Sequence, residues 1–467
     1  MMMSDPRVHR RRFLQSGTHW LTAAAVTSPF HAWSEQLTQA ATQKASAVPP
    51  LRPVSDETTG LPLLKLPKGF RYASFGWAGD PLTGEIPTPP LHDGMAAVTT
   101  KGDHVLLIRN HEVNFDGPAF GNLDHVYDSH APAGTTSLLF NSRTGRLEKA
   151  WASLGGTSRN CAGGITPWGS WLTCEETVNG PDDVIEIDGE SRRLAHAKPH
   201  GFVFEVPAWQ PASPEPLTAM GRFYHEAVAV DPETGIVYET EDRATAGFYR
   251  FIPEHPGELQ KGGRLQMMRV QRHPDLRKRV DPQKIYTADW VDINDPLLAH
   301  SPGTHDEQGV FHQGKSQNGT TFGRLEGCFA AKGFIYLVST NGGDAELGQI
   351  WAYDPPSDQL RLLFESPNQR TLSMPDNMTV SPTGTIILCE DGTFPRQRLL
   401  ALNPKGHVFP ILENNVVLNG ERNHLTGDYR HREWAGCTFS PDGKWLFANL
   451  QKPGITFAIT GSWKNLL

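Results

Sequence analysis

Six segments of the chain follow one pattern: an apolar run, a turn centred on glycine, a second apolar run, then polar residues. They are Met95–Glu112 around Gly102, Gly163–Glu176 around Gly169, Ala227–Asp242 around Gly235, Cys328–Asp344 around Gly333, Met378–Asp391 around Gly384 and Cys437–Gln451 around Gly443. Turns such as Ser381-Pro382-Thr383-Gly384 and Ser440-Pro441-Asp442-Gly443 suit hairpins of paired strands. A third run follows each pair, for example Gly201–Val206, Gln349–Tyr353 and Ile455–Ile459, mostly with the period-two alternation of a strand. Six units of three to four antiparallel strands predict an all-β fold, a six-bladed β-propeller. Two packed β-sandwiches explain six matching units less well. The last unit ends on its third strand, so Phe70–Phe75 is predicted to supply its outer strand and close the ring. The gap between the third and fourth units is the longest. It carries a polar insert, about 253–322, predicted as a solvated lid or wall over one face.

The chain has 467 residues, of which 45 are Gly and 37 Pro, a turn-rich balance that excludes a coiled coil. Its formal charge of -8 argues against nucleic acid as a partner. The N-terminus departs from that balance. Arg10-Arg11-Arg12-Phe13-Leu14 fits the twin-arginine form R-R-x-F-L, followed by a mildly apolar stretch and small residues to Ala47. The expected organisation is a signal peptide over 1–47, a linker over 48–65 and a single propeller domain over 66–467. His19, Thr22, Thr27 and Ser28 make the apolar stretch too short and polar to span a bilayer, so no stable membrane insertion is expected. Export by the twin-arginine machinery places the protein in the periplasm or outside the cell. It also suggests a cofactor loaded before export, because that route carries folded proteins. Removal of 1–47 takes the formal charge from -8 to -11.

Alignment of the six units on their turn glycines brings polar residues into register. Ahead of the first strand stand His92-Asp93, Cys161, Glu226, Glu326, Asp376 and Glu433. After the second strand stand Asn110-His111-Glu112, Glu175-Glu176, Glu239 with Glu241-Asp242, Asn341 with Asp344, Glu390-Asp391 and Asn449. The start of one strand and the end of its antiparallel partner share an end, so both rows converge on one face around the channel. Converging carboxylates raise one another's pKa, and bound cations relieve the repulsion. Carboxylates with Asn suit a hard ion such as Ca²⁺, and a thiol adds a transition metal. Of five cysteines, Cys174, Cys328, Cys389 and Cys437 lie within apolar runs and are expected in the core, leaving Cys161 as the candidate ligand. Gly309-Val310-Phe311-His312-Gln313-Gly314-Lys315-Ser316 matches G-x-x-x-x-G-K-S, but its flanks lack the strand and helix of a P-loop.

The string Arg159-Asn160-Cys161-Ala162-Gly163-Gly164, with Thr166-Pro167-Trp168-Gly169 and Leu172-Thr173-Cys174-Glu175-Glu176 downstream, closely resembles the PhoX alkaline phosphatase family. So do Arg109-Asn110-His111-Glu112, His225-Glu226, Arg324-Leu325-Glu326-Gly327 and Pro375-Asp376-Asn377. The resemblance runs from about Leu66 to Trp463. It implies a phosphatase, exported by the twin-arginine route, that hydrolyses phosphate monoesters with two Fe³⁺ and up to three Ca²⁺. It further implies Cys161 as thiolate ligand, Glu226, Glu326 and Asp376 as carboxylate ligands, and Glu175 or Glu176 as another, Glu176 favoured. Asn110 and Arg324 become the groups that bind phosphate oxygens, and a monomer is expected. Two other readings stay open: a calcium-dependent propeller hydrolase such as a lactonase, and a non-catalytic secreted propeller that binds a partner on its top face.

Overall fold

A computed structural model describes residues 49–467 apart from 182, 188, 189, 211, 279 and 283. The expected signal segment 1–47 lies outside the described residues. Each hairpin seen in the sequence starts an antiparallel sheet. The first unit is His92–Lys101, His104–His111, Ala133–Asn141 and Arg146–Thr157; the second is Asn160–Ile165, Ser170–Glu175 and Val203–Pro207. The third begins His225–Val230, Val237–Glu241, Phe248–Pro253 and Gly263–Val270. The fourth contains Leu325–Ala331, Phe334–Ser339, Gln349–Asp354 and Gln359–Glu365. The fifth contains Pro375–Val380, Ile386–Glu390, Arg398–Leu402 and Val408–Asn414. The sixth is Trp434–Phe439, Trp445–Leu450, Ile455–Thr460 and Arg71–Phe75. The leading strands neighbour one another in sequence order, and the sixth returns to the first. The result is a propeller.

Alternate side chains of each sheet pack against the adjoining sheet. Leu106, Ile108, Trp171 and Phe204 fill the space between the first two units. The Phe140 ring meets Trp445 and Phe447, each at 5.1 Å, across the first and sixth. Each such buried side chain contributes roughly 1.5–3 kcal/mol. The ring closes as predicted: Arg71–Phe75 pairs antiparallel with Ile455–Thr460, from Arg71 opposite Thr460 to Phe75 opposite Thr456.

Two predicted boundaries change. Within the expected linker 48–65, Arg52–Val54 pairs with Leu64–Leu66, and the latter adds to the edge strand Val408–Asn414. Leu63 and Leu64 are buried there, and Leu63 N–H donates to Tyr72 Oη at 2.8 Å, so this hairpin covers an otherwise open edge. The insert 253–322 is only partly a surface feature. Gly263–Val270 is the outer strand of the third unit, and Ile285–Asp292 bridges from it to Gln359–Glu365 of the fourth. Leu265, Met267 and Met268 are buried, too few apolar residues to read as a strand amid polar neighbours. The G-x-x-x-x-G-K-S segment is itself an α-helix, Gly309–Ser316, which excludes a phosphate loop. All five cysteines are buried free thiols.

Candidate metal centre

The same irregularity recurs at the start of every leading strand. Pairing with the second strand shifts register between His92 and Met95, Asn160 and Gly163, His225 and Val228, Leu325 and Cys328, Pro375 and Met378, and Ala435 and Thr438. Within the first five shifts lie Asp93, Cys161, Glu226, Glu326 and Asp376. A bulge takes a residue off the ladder and re-aims its side chain, here toward the channel. The return strands supply a second row. The N–H groups of Glu112, Glu176, Asp242, Thr340, Asp391 and Gln451 bond to the carbonyls of Leu91, Arg159, Tyr224, Arg324, Met374 and Glu433. Those six acceptors, each just ahead of a leading strand, form a third row at the rim.

Three groups emerge whose ligand atoms lie within 4.8 Å of one another: Cys161 with Glu176 and Glu226; Glu226 with Glu326 and Asp376; and Asp93 with Glu112 and Glu433. Burial foremost, and then neighbouring carboxylates, push Asp93, Glu176, Glu226, Glu326 and Glu433 well above the usual carboxylate range and Asp376 up to about 7. Burial likewise raises the Cys161 thiol. Two rim guanidiniums offset part of this charge. Arg159 Nε lies 3.0 Å from Glu112 Oε1 and 3.1 Å from Glu176 Oε2. Arg324 reaches Asp242 through Nε at 2.9 Å and Nη2 at 3.0 Å, and Glu326 through Nη2 at 2.5 Å. Two cations cannot balance this many carboxylates, so the donor set fits bound metal ions. The mouth above is a cavity of about 400 Å³ lined by Arg159, Tyr224, Asp242, Arg243 and Arg324.

Five of the residues singled out from sequence therefore come together: Cys161, Glu176, Glu226, Glu326 and Asp376. Arg324 lines the mouth above them. Glu175 is a correction. Its carboxylate accepts from Ser158, Gly201 and Phe202 N–H groups at 2.8, 2.7 and 3.1 Å and meets His200 Nδ1 at 2.6 Å, leaving no ligand role. Asn110 is another. Its Nδ2 donates to the Cys161 and Ala162 carbonyls at 2.9 and 2.7 Å, and its Oδ1 accepts from Trp171 Nε1 and Thr173 Oγ1. Saturated in this way, it holds the Cys161 backbone and offers no donor to a phosphate. Thr240 and Asn449 repeat the device, donating to the carbonyls of Glu326 and Asp93 in the next unit. Glu390 is committed to Arg398 at 2.6 Å, Glu239 is buried beside His225 at 3.3 Å, and Asp344 is exposed. Asp93, Glu112 and Glu433 stood in the aligned rows without an assigned role. Arg159, Tyr224 and Arg243 at the mouth were missed, although the position ahead of each leading strand was the available signal for the first two.

Glu175 belongs to a buried clamp with His200 and Asp128, whose Oδ2 lies 3.4 Å from His200 Nε2. Burial by itself would lower the imidazole, but the two carboxylates outweigh it and raise His200 to about 9. A raised histidine stabilises the fold fully below its unfolded value near 6.5, and that contribution is lost as pH rises through about 9. A shift of this size is worth about 3 kcal/mol. His200→Gln is expected to cost about that much at pH 6 and little at pH 10. Denaturant unfolding of both proteins across that range checks it; a pH-independent difference overturns the clamp.

The fold and the site define a β-propeller with a buried cluster of carboxylates and one thiol at one mouth. The family model described as alkaline phosphatase PhoX matches residues 49–148 and 131–454, and the chain belongs to that family. Among solved structures, the chain is similar to Pseudomonas fluorescens PhoX in complex with vanadate, a transition state analogue. The TM-score is 0.64 at 17% identity, covering 88% of this chain and 98% of that one. It is also similar, with a TM-score of 0.38 and 12% identity over 90% of this chain and 99% of the other, to the gluconolactonase XC5397 from Xanthomonas campestris. No curated protein matches the chain. Among the described residues no helix is long and apolar enough to cross a membrane.

Proposed function

We propose that this protein is an exported, monomeric, metal-dependent phosphatase that hydrolyses phosphate monoesters at a centre of two Fe³⁺ and up to three Ca²⁺. The observation that carries the reading is the shared ligand Glu226, which belongs to both the Cys161–Glu176 group and the Glu326–Asp376 group beneath Arg324. The thiol-containing group suits a transition metal, and the all-oxygen group of Asp93, Glu112 and Glu433 suits calcium. When bound, such ions supply Lewis-acid stabilisation of phosphoryl charge.

The chain's own residues do the rest. Asp242 and Glu326 engage Nε and Nη2 of Arg324, which fixes the guanidinium and leaves Nη1 for a phosphate oxygen. Arg159, braced between Glu112 and Glu176, brings a second positive charge to the same mouth. Asn110 acts one layer down, through the Cys161 backbone.

Turnover of p-nitrophenyl phosphate by metal-replete protein, inhibited competitively by vanadate, is the test. No turnover at neutral or alkaline pH would sink the proposal. Arg324→Ala is expected to lower kcat/KM about 10²–10³-fold, the cost of removing one donor to transition-state charge. Arg324→Lys recovers little, because a single ammonium cannot hold Asp242, Glu326 and substrate together.

A further inference from the structure

A second cavity, of about 640 Å³, adjoins the metal mouth and shares Arg159 and Tyr224 with it. A phosphate held at Arg324 and Arg159 would point its ester group into this space. The walls come from three places: Asn114 beyond the first hairpin, Thr177 and Asn179 beyond the second, and His300, His305 and Glu307 from the insert. Most of the lining is polar and uncharged, able to donate and accept; Val184 and Leu194 are its aliphatic members, and Asp183 joins Glu307 as an acid.

Several observations define what fits. His196 lines the cavity at 5% exposure. Burial holds that imidazole below its ordinary value, so it is neutral and offers both a donor and an acceptor. The one aromatic ring in the lining besides the imidazoles, Tyr224, already carries the Arg243 guanidinium over its face at 4.5 Å, which leaves no free ring for a base or aryl group to stack on. Further anionic groups are disfavoured: Arg159 is ion-paired and Glu307 adds negative charge, itself held by Arg243 at 2.7 Å.

We infer that the cavity receives the leaving group and selects a neutral, polyhydroxylated one, so that the preferred substrates are sugar or polyol monophosphates. The inference rests on the phosphatase reading above. It makes Asn179 and His305 specificity residues, outside the metal centre.

The experiment compares kcat/KM of the metal-replete full chain for glucose 6-phosphate, hexyl phosphate and p-nitrophenyl phosphate. Glucose 6-phosphate is expected to exceed hexyl phosphate at least about tenfold, the worth of one to two well-placed hydrogen bonds. Asn179→Leu and, separately, His305→Leu are each expected to lower the glucose 6-phosphate to p-nitrophenyl phosphate ratio about fivefold or more, chiefly through KM. Hydrolysis of p-nitrophenyl phosphate with hexyl phosphate equal to or better than glucose 6-phosphate overturns the selectivity and leaves the phosphatase reading standing. Ratios unchanged in both variants also overturn it. Hydrolysis of none of the three overturns both.

Discussion

Cys161→Ala is expected to abolish transition-metal binding and to lower kcat by at least about 10³-fold, the scale of losing several kcal/mol of metal-supplied stabilisation. The thiol sits inside the register shift of its strand, with Sγ 3.3 Å from the His225 carbonyl and grouped with Glu176 and Glu226. Burial and the Glu226 charge both disfavour its thiolate, so only a bound cation makes ionisation favourable there. Cys161→Ser keeps the volume but replaces a soft ligand with a hard, weakly acidic one, and is expected to recover little activity. Elemental analysis with activity measurement checks both variants. Wild-type iron content in Cys161→Ala would refute the ligand role.

Chelation is expected to destabilise the protein, and more so as pH rises. Asp376 is raised to about 7, and Glu226, Glu326 and Asp93 lie well above their ordinary range. For an acid raised in the folded state, metal-free stability is intact below the unfolded value near 4 and falls as pH climbs through the folded value. Metal binding reverses this, because ligands must lose protons to coordinate. The melting temperatures of chelated and metal-replete protein should therefore nearly meet at pH 5 and separate by more than about 10 °C at pH 8, given several kcal/mol per uncompensated buried charge. Equal melting curves at pH 8 would mean that the carboxylates are satisfied without metal.

Much of this centre was legible because it repeats. One acidic residue at one offset from a glycine turn says little; the offset recurring from Asp93 to Asp376 announces a ring. What stayed hidden depends on the third dimension. Glu175 and Glu176 are chemically equal neighbours, and strand alternation alone sends the first to His200 and the second to Cys161. Asn110 looks like a phosphate donor until its four hydrogen-bond positions are seen to be filled. The hairpin Arg52–Val54 with Leu64–Leu66 and the bridge Ile285–Asp292 escaped notice because their partners lie far along the chain. Arg159 and Arg324 stand at equivalent rim positions with φ of 51° and 38°, a left-handed turn that their side chains do not advertise.

The ring is joined where Arg71–Phe75 meets Ile455–Thr460, and one ligand group straddles that join: Asp93 and Glu112 come from the first unit and Glu433 from the last. A cation bound there would work as a clasp between an early and a late part of the polypeptide. It is the last position to form as the chain emerges, and its occupancy and the closing of the circle are linked equilibria, each strengthening the other. Loosening the N-terminal strand would release this ion first, before the two groups built around Glu226.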